Sequence, residues 1–493
     1  MYTSFVNKIH KNLKYSSQHT PQKILQKHFG YSEFREGQLE IIENILQKRD
    51  CLAILPTGGG KSLCFQIPGL LFSGITVVIS PLISLMKDQV DTLNSKGISA
   101  CYISSLLNSS QLNTTYELLQ LNSFKFVYIA PERLASKMFQ KIVSKLKISL
   151  LVIDEAHCIS SWGDFFRPAY KQIIIEMKKV VPNFSNCPVV AFTATAHKAV
   201  QKDICTTLQL KDPFIFYKSF ARTNLNIEMI HCFNPTIKNL VLLRILQKHI
   251  NEVGIIYCAT RKITEQLALF LQNFGFDATY YHGGLENKQK QIVQLTFTNR
   301  YTKIIVATNA FGMGIDVSDI RFVIHYQIPG NIENYYQEIG RAGRDTKQSW
   351  CYTLYCPTDE TVQYELLKKF PTKVTEFEKI KRLVILNKCR TVQILSYFGE
   401  KSQNCTTCDI CKKTQYRSQL MIHTTEVETV QIKTILDLRR KNITLNRQFP
   451  LTDTIVAFLA ILKPKTETEF LKIPGIGVGF IKVWYSLLQN VFF

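Results

Sequence analysis

From Pro21 onward the chain alternates short apolar runs with stretches of helical character. Cys51–Leu55, Thr76–Ser80, Phe126–Ala130, Leu150–Ile153 and Val189–Thr193 form a first set of runs. Runs that are apolar throughout suit strands buried on both faces, and their alternation with helices predicts a parallel sheet covered by helices. The pattern pauses at Lys211–Pro213 and Phe220–Asn226 and restarts at Gly254–Tyr257, Ala278–Tyr281, Lys303–Ala307 and Phe322–Tyr326. Two α/β domains in tandem, each burying its own core, follow from this. After about Thr358 no further strand is expected. Charged helical segments run to Lys388, then comes a cysteine cluster, a polar connector from Lys412 to about Val430, and a small helical unit ending at Phe493. Met1 to about Thr20 is expected to be loosely ordered.

Composition adds a partner. The 493 residues allow three or four domains, and the net charge of +22 points to an anion, nucleic acid before membrane. A lysine-rich coding bias is the alternative. No apolar window is long enough to span a bilayer, and the polar, basic Met1–Gln22 does not read as a secretory signal. Cys51, Cys64, Cys187, Cys258 and Cys351 stand singly in apolar segments, as reduced intracellular thiols do.

The chemistry begins at Leu55–Ser62, Leu-Pro-Thr-Gly-Gly-Gly-Lys-Ser, between an apolar strand and a helix start. Thr57 and Gly58–Gly60 read as a phosphate cradle, Lys61 as the cation for the β- and γ-phosphates of ATP, and Ser62 as a Mg²⁺ ligand. Leu55 stands where the strict pattern has glycine. Leu150-Leu-Val-Ile-Asp154-Glu155-Ala-His157 ends a strand in two carboxylates, so Asp154 is expected to hold Mg²⁺ and Glu155 to activate water. His157 reads as a relay between the nucleotide and neighbouring loops, with a lone surface histidine as the alternative, and Thr193-Ala-Thr195 as its link to the second domain. Gln337-Glu-Ile-Gly-Arg341-Ala-Gly-Arg344 places two arginines three apart on one face, and they read as an arginine finger aimed at a γ-phosphate from the neighbouring domain; a solvated pair is the alternative. Cys405, Cys408 and Cys411, with Cys389 upstream, read as a Cys₄ structural zinc site; two disulfides are the alternative.

In this order, Gln38, the Thr57–Ser62 loop, Asp-Glu-Ala-His, Thr-Ala-Thr and Gln-x-x-Gly-Arg-x-Gly-Arg resemble superfamily-two helicases. Phe29–Gln38, Ser80–Gln89, Tyr128–Arg133, Ala307–Asp316 and Arg321–His325 are similar to the RecQ branch, over about residues 22–415. The resemblance implies two RecA-like lobes, with Tyr31 and Arg35 sandwiching adenine and Gln38 reading its edge. It makes Gln337 and Arg341 sensors of the nucleotide, Arg344 the finger, and Thr308 and Asp316 links between ATP and DNA. Trp162, Phe166 and Arg167 match the family's aromatic-rich loop for single-stranded DNA, but Asp164-Phe165 stands where the family has His-Asp, which would alter DNA-coupled turnover. Cys389 is the position from which the family supplies its fourth zinc ligand.

The implied division is an extension at 1–20, lobes at 21–215 and 216–358, a helical zinc region at 359–415, a linker at 416–435 and a truncated HRDC-like module at 436–493. No winged helix is expected between zinc site and tail. Within the tail, Ile473-Pro-Gly475-Ile-Gly477 offers a glycine turn for a phosphate, or the tail is a packing cap. The implied function is ATP-dependent 3′–5′ DNA unwinding in repair and recombination by a monomer in a bacterial nucleoid or a nucleus. A DNA-binding or strand-annealing protein with weak or uncoupled ATPase is the alternative.

Overall fold

The computed structural model describes residues 20–492 apart from Thr57, Leu82, Leu106, 161–167, Asn183, Phe233, 312–316, Lys369, 414–425, 443–444 and 447–448. Thr57, Trp162, Asp164, Phe165, Phe166, Arg167 and Asp316 therefore lie outside the described residues.

The chain forms two compact units, and it passes from the first to the second between Ala221 and Arg222; the short segment Leu395–Lys401 also belongs to the first. The first unit holds strands β1 (Cys51–Ile54), β2 (Ile75–Ile79), β3 (Ala100–Ile103), β4 (Phe126–Ile129), β5 (Ile148–Ile153), β6 (Val189–Thr193) and β7 (Phe214–Tyr217). They form one parallel sheet in the order β3-β4-β2-β5-β6-β1-β7. Its central strands are buried along their length, as a sheet covered on both faces demands. Among the covering helices are α1 (Gln38–Leu46), α2 (Lys61–Leu71) and α3 (Lys198–Thr207).

The second unit repeats the plan with β8 (Leu225–His231), β9 (Gly254–Tyr257), β10 (Ala278–Tyr281), β11 (Ile304–Ala307), β12 (Phe322–His325) and β13 (Ser349–Tyr355). Their order is β10-β11-β9-β12-β13-β8, again all parallel. Helices α4 (Pro235–Lys248), α5 (Ile332–Ile339) and α6 (Pro357–Leu367) belong here, and α7 (Arg390–Tyr397) leads into the cysteine cluster. The units are thus two parallel-sheet, RecA-like lobes followed by a helical zinc-binding region.

The tail consists of α8 (Glu426–Lys441), α9 (Asp453–Leu462), a short turn of helix at Glu467–Phe470, and α10 (Val478–Phe492). Part of the stretch read as connector therefore opens α8, and Ile435 is fully buried. Leu240, Leu243 and Leu246 of α4 share one hydrophobic cluster with Ile455, Phe458 and Leu459 of α9 and Trp484 of α10. The tail closes over the second lobe's core. Its glycine turn is committed to that packing: Ile473 and Ile476 are buried, and the Ile476 amide donates to the Ile473 carbonyl at 3.0 Å.

Leu459→Ala should therefore destabilise the second lobe as a whole, by about 2–5 kcal/mol, the usual range for a buried leucine. Denaturant unfolding followed by amide exchange on β9 and β12 checks this; loss of protection confined to residues 453–492 would contradict it.

Candidate nucleotide and zinc sites

Strands β5, β6 and β1 are neighbours, and their carboxyl ends bring three motifs to one edge of the first sheet. This is where parallel sheets place ligands. After β1 the chain turns through Gly58–Gly60 into α2. Gly60 takes φ +77°, and a Cβ there would come within 2.3 Å of Gln38 Nε2, so the turn requires glycine twice over. Lys61 opens α2 and lies 3.9 Å from Glu155 Oε1.

Gln38, fully buried on α1, braces this turn. Its Oε1 accepts the Arg35 amide at 2.8 Å, and its Nε2 donates to the carbonyls of Gly60 and Gly59 at 3.2 and 3.4 Å. The Arg35 guanidinium donates to the Gly58 carbonyl. The groups assigned to adenine are thus engaged with the cradle here, while the Tyr31 ring is exposed and available for stacking. Ser62 follows Lys61 in the first turn of α2, where the resemblance puts the Mg²⁺ ligand.

At the end of β5, Asp154 Oδ1 accepts the Glu155 amide at 2.9 Å, and Glu155 takes a left-handed φ of 47°. Burial, and next the Glu155 carboxylate, raises Asp154 well above the usual carboxylate range. A site that penalises its own negative charge suits a divalent cation, and the oxygens of Asp154 and Ser62 are hard ligands of the kind Mg²⁺ takes. His157 lies 3.0 Å from Thr193 Oγ1 through Nδ1, and 3.4 Å from Glu155. Thr193 Oγ1 in turn donates to the Thr195 carbonyl at 2.9 Å, so the two motifs are joined by hydrogen bonds. Burial lowers the His157 pKa, which keeps the link a neutral ring.

Sequence reasoning missed Tyr170. It is fully buried, and its hydroxyl donates to the Asp154 carbonyl at 3.1 Å. Nothing in the sequence around it distinguishes a structural tyrosine from this one.

In the second lobe, Gln337 lies on α5, and Arg341 and Arg344 lie on the turn that follows it. That turn is held from outside. Arg222 donates to the carbonyls of Ala342 and Gly343, both at 3.0 Å, and Asn224 Nδ2 donates to Gly343 at 2.9 Å. Gly343 has φ +58°, and a Cβ on it would strike Asn224 at 2.5 Å. Asp345, next after Arg344, pairs with Arg321 at 2.6 Å, which holds its carboxyl below the usual range. Beneath α5, Glu338 Oε2 lies 2.8 Å from His325 Nε2, at the end of β12. Thr308 follows β11 and is buried.

The four cysteines converge. One sulfur from each of Cys389, Cys405, Cys408 and Cys411 lies within 4.8 Å of all the others. Cys389 is 3.5 Å from Cys405 and 3.9 Å from Cys408. Zinc–sulfur bonds of ~2.3 Å at tetrahedral angles imply sulfurs about 3.8 Å apart, so the donors fit zinc. All fourteen cysteines carry free thiols, which sets the disulfide alternative aside.

The cluster is bolted to the second sheet by Asp409. Arg390 grips it with two hydrogen bonds of 3.0 Å, and both residues are buried. The Asp409 amide donates to the Ile227 carbonyl at 2.9 Å, on the outer side of edge strand β8. The zinc loop thereby covers part of an open sheet edge.

Residues 35–203 match the DEAD/DEAH box helicase family, 237–346 the helicase conserved C-terminal domain, and 359–412 the RecQ zinc-binding family. The ATP-dependent DNA helicase RecQ of Bacillus subtilis is 42% identical over 406 residues, which are 80% of this chain and 68% of that protein. The chain belongs to the RecQ family. RecQ of Pasteurella multocida is 40% identical over 80% of this chain, which spans only 62% of that protein's length. A putative ATP-dependent RNA helicase of Acanthamoeba polyphaga mimivirus is 42% identical over 79% of this chain and 71% of its own. Two solved structures share the fold. Saccharomyces cerevisiae Dbp5 bound to RNA and ADP–BeF₃ has a TM-score of 0.56 at 18% identity, covering 74% of this chain and 97% of that one. Mycobacterium smegmatis Lhr bound to single-stranded DNA and AMP-PNP has 0.53 at 18%, covering 70% and 49%.

For this RecQ-family chain, two outcomes test the sites. Because the folded-state pKa of Asp154 lies above its unfolded value, its stabilising share is complete only below the unfolded value near ~3.9 and is lost as pH rises through the folded one. Asp154→Asn should therefore raise the melting temperature at pH 8 without Mg²⁺ or nucleotide, by about 2–4 °C, and leave it unchanged near pH 4. Differential scanning fluorimetry at both pH values measures this, and ATPase activity should vanish in the same variant.

Freshly purified, reduced protein should carry one zinc per chain by elemental analysis. Chelating it, or Cys408→Ser, should cause aggregation that light scattering detects, because β8 then loses its cover. A metal-free preparation of unchanged stability would contradict the assignment.

Proposed function

We propose that this chain is an ATP-dependent DNA helicase of the RecQ type. It couples ATP hydrolysis to 3′-to-5′ translocation on single-stranded DNA and to unwinding of tailed duplexes in DNA repair and recombination. The observation that carries the proposal is the half-buried Asp154–Glu155 pair beside Lys61 and the glycine cradle, a cation-seeking site against a phosphate-binding turn.

Bound Mg²⁺ would supply charge neutralisation at the β- and γ-phosphates. Lys61 and the amides of Gly58–Gly60 bind the phosphates, with Thr57 beside them. Ser62 and Asp154 hold the cation. Glu155 accepts a proton from the attacking water and orients it. Tyr31 and Arg35 flank adenine, with Gln38 at its edge. Gln337 and Arg341 sense the nucleotide, and Arg344 stabilises the charge of the transferring phosphoryl group. Trp162, Phe166 and Arg167 stack on and hold single-stranded DNA, and Thr308 and Asp316 tie that contact to the nucleotide. The net charge of +22 suits a polyanionic partner. No described helix is long and apolar enough to cross a membrane. A nucleoid or nuclear setting, a monomeric state and a DNA-binding tail belong to the same proposal.

The mimivirus relative favours a second reading, an RNA-directed enzyme. Strand displacement on 3′-tailed DNA and RNA duplexes separates the two, and the DNA substrate should be opened faster. Lys61→Ala should lower DNA-stimulated ATPase on the order of 10²–10³-fold while DNA binding persists. Undiminished hydrolysis in that variant would overturn the proposal.

A further inference from the structure

The chain leaves the first lobe at Ala221 and enters the second at Arg222, and each side of that peptide is fastened to its own lobe. On the first side, Phe220 is 1% exposed and lies 4.4 Å from the ring of Phe398 and 5.2 Å from that of Tyr217. One carboxylate gathers the segment. Glu400 accepts the Tyr217 hydroxyl at 2.8 Å, the Phe220 amide at 3.1 Å and the Ser219 hydroxyl. Ser219 Oγ then accepts the Ala221 amide at 3.1 Å. Bonds to a carboxylate are about twice as strong as neutral ones, and three on one group make a rigid clamp. Glu400 reaches this place because Leu395–Lys401 packs with the first lobe, whereas Ile394 and Ser402 on either side belong to the second.

On the other side, the first residue of the second lobe is already engaged. Arg222 bridges the carbonyls of Ala342 and Gly343, and its Nε donates to Asn224 Oδ1 at 3.2 Å. Asn224 adds bonds to Gly343 and, at 3.0 Å, to Lys347. The turn they hold carries Arg341 and Arg344. Ala221 itself is exposed and brings no side-chain bond.

From this we infer that Glu400 and Arg222 are positioning residues that fasten the two flanks of this first crossing, so that backbone rotation there falls on the Ala221–Arg222 peptide and the Arg341–Arg344 turn stays fixed to its second-lobe side. Hinges are a few residues that absorb backbone rotation, and whatever fixes their flanks decides where the rotation falls. Glu400 acts through residues 217–220 and Arg222 through the arginine turn; neither is assigned contact with nucleotide. The inference rests on the ATPase reading above.

The test compares Glu400→Gln, Glu400→Ala and Arg222→Ala with the unmodified chain. The dissociation constant of a fluorescent ATP analogue should stay within twofold, since the cradle lies wholly in the first lobe. DNA-stimulated kcat should fall on the order of 10-fold in Glu400→Ala and Arg222→Ala and less in Glu400→Gln, which keeps an acceptor oxygen. Amide exchange at Phe220 and Ala221 should quicken at least 10-fold in Glu400→Ala while β1 stays protected. Unchanged kcat with faster exchange would overturn the positioning role, and unchanged exchange would overturn the clamp. A parallel loss of analogue binding would show general damage to the first lobe and also overturn the inference. Should Glu400→Ala fail to fold, Tyr217→Phe removes one bond of the clamp and should show the same pattern more weakly. An unmodified chain without ATPase would sink the helicase reading, and the exchange measurement would still judge the clamp.

Discussion

A half-buried carboxylate at the end of a central strand sets the terms for the first lobe. Asp154 lies between the ends of neighbouring strands, and its charge is opposed by burial and by Glu155 beside it. Removing such a group from water is costly unless a cation returns the loss. Much of what surrounds it limits relaxation. The Asp154 amide is tied to Ile79 at 2.8 Å, its carbonyl receives Tyr170, and the next turn is pinned through His157 to Thr193. Lys61, 3.9 Å from Glu155, and the Glu155 amide soften the field in part. On the proposed function, a cation with a phosphate ligand completes the lobe, which bears this charge at some expense of its stability alone.

The second lobe solves a different problem with the same sheet. The charges proposed to act from it are cations, and arginines do not need a buried strand end to be useful; they need a fixed origin. That origin is a turn whose carbonyls are gripped by Arg222 and Asn224 and whose far end is paired through Asp345. Fixing the main chain fixes the point from which the two guanidinium groups reach out. The zinc loop serves the same lobe at its edge. It adds Asp409 along β8, where a further strand would otherwise pair.

Much of this was legible in the chain. Strands buried on both faces announce themselves as apolar runs, so β1, β2, β4, β5, β6, β9, β10, β11 and β12 were readable to within a residue or two. The others hid for physical reasons. β7 is an edge strand, half exposed along Phe-Ile-Phe-Tyr, and follows the Lys211–Pro213 break. β8 carries Asn226 and Glu228 because its outer side meets the polar zinc loop, and Lys412 bonds Asn226 at 2.6 Å. β3 is an edge strand with Tyr102 half-buried, and β13 follows closely on the arginine motif. In the sites, the cradle, the acidic pair and the four thiols were visible because each is contiguous or regularly spaced. Gln38 was visible as a motif residue, but not as a brace for Gly59 and Gly60. Arg222 and Asn224 were invisible, since they act on main-chain carbonyls some 120 residues away, and backbone partners leave no sequence pattern.

The tail shows where local pattern stops being informative. Its helices were readable, yet its independence was not, because an amphipathic helix looks alike whether it packs on its own bundle or on a neighbour. Here α9 is apolar on nearly every side, and a helix of that kind must be buried on every side. One small three-helix unit cannot bury it alone, and α4, itself apolar around most of its circumference, supplies the missing face. The glycine turn before α10 is shaped by the same demand, since Ile473 and Ile476 point inward and Gly475 adopts φ +90° to let them. Any nucleic-acid contact made by this tail must therefore come from its outer surface, where Gly475 and Gly477 remain exposed. It would then move with the arginine turn of the second lobe rather than range freely on a linker.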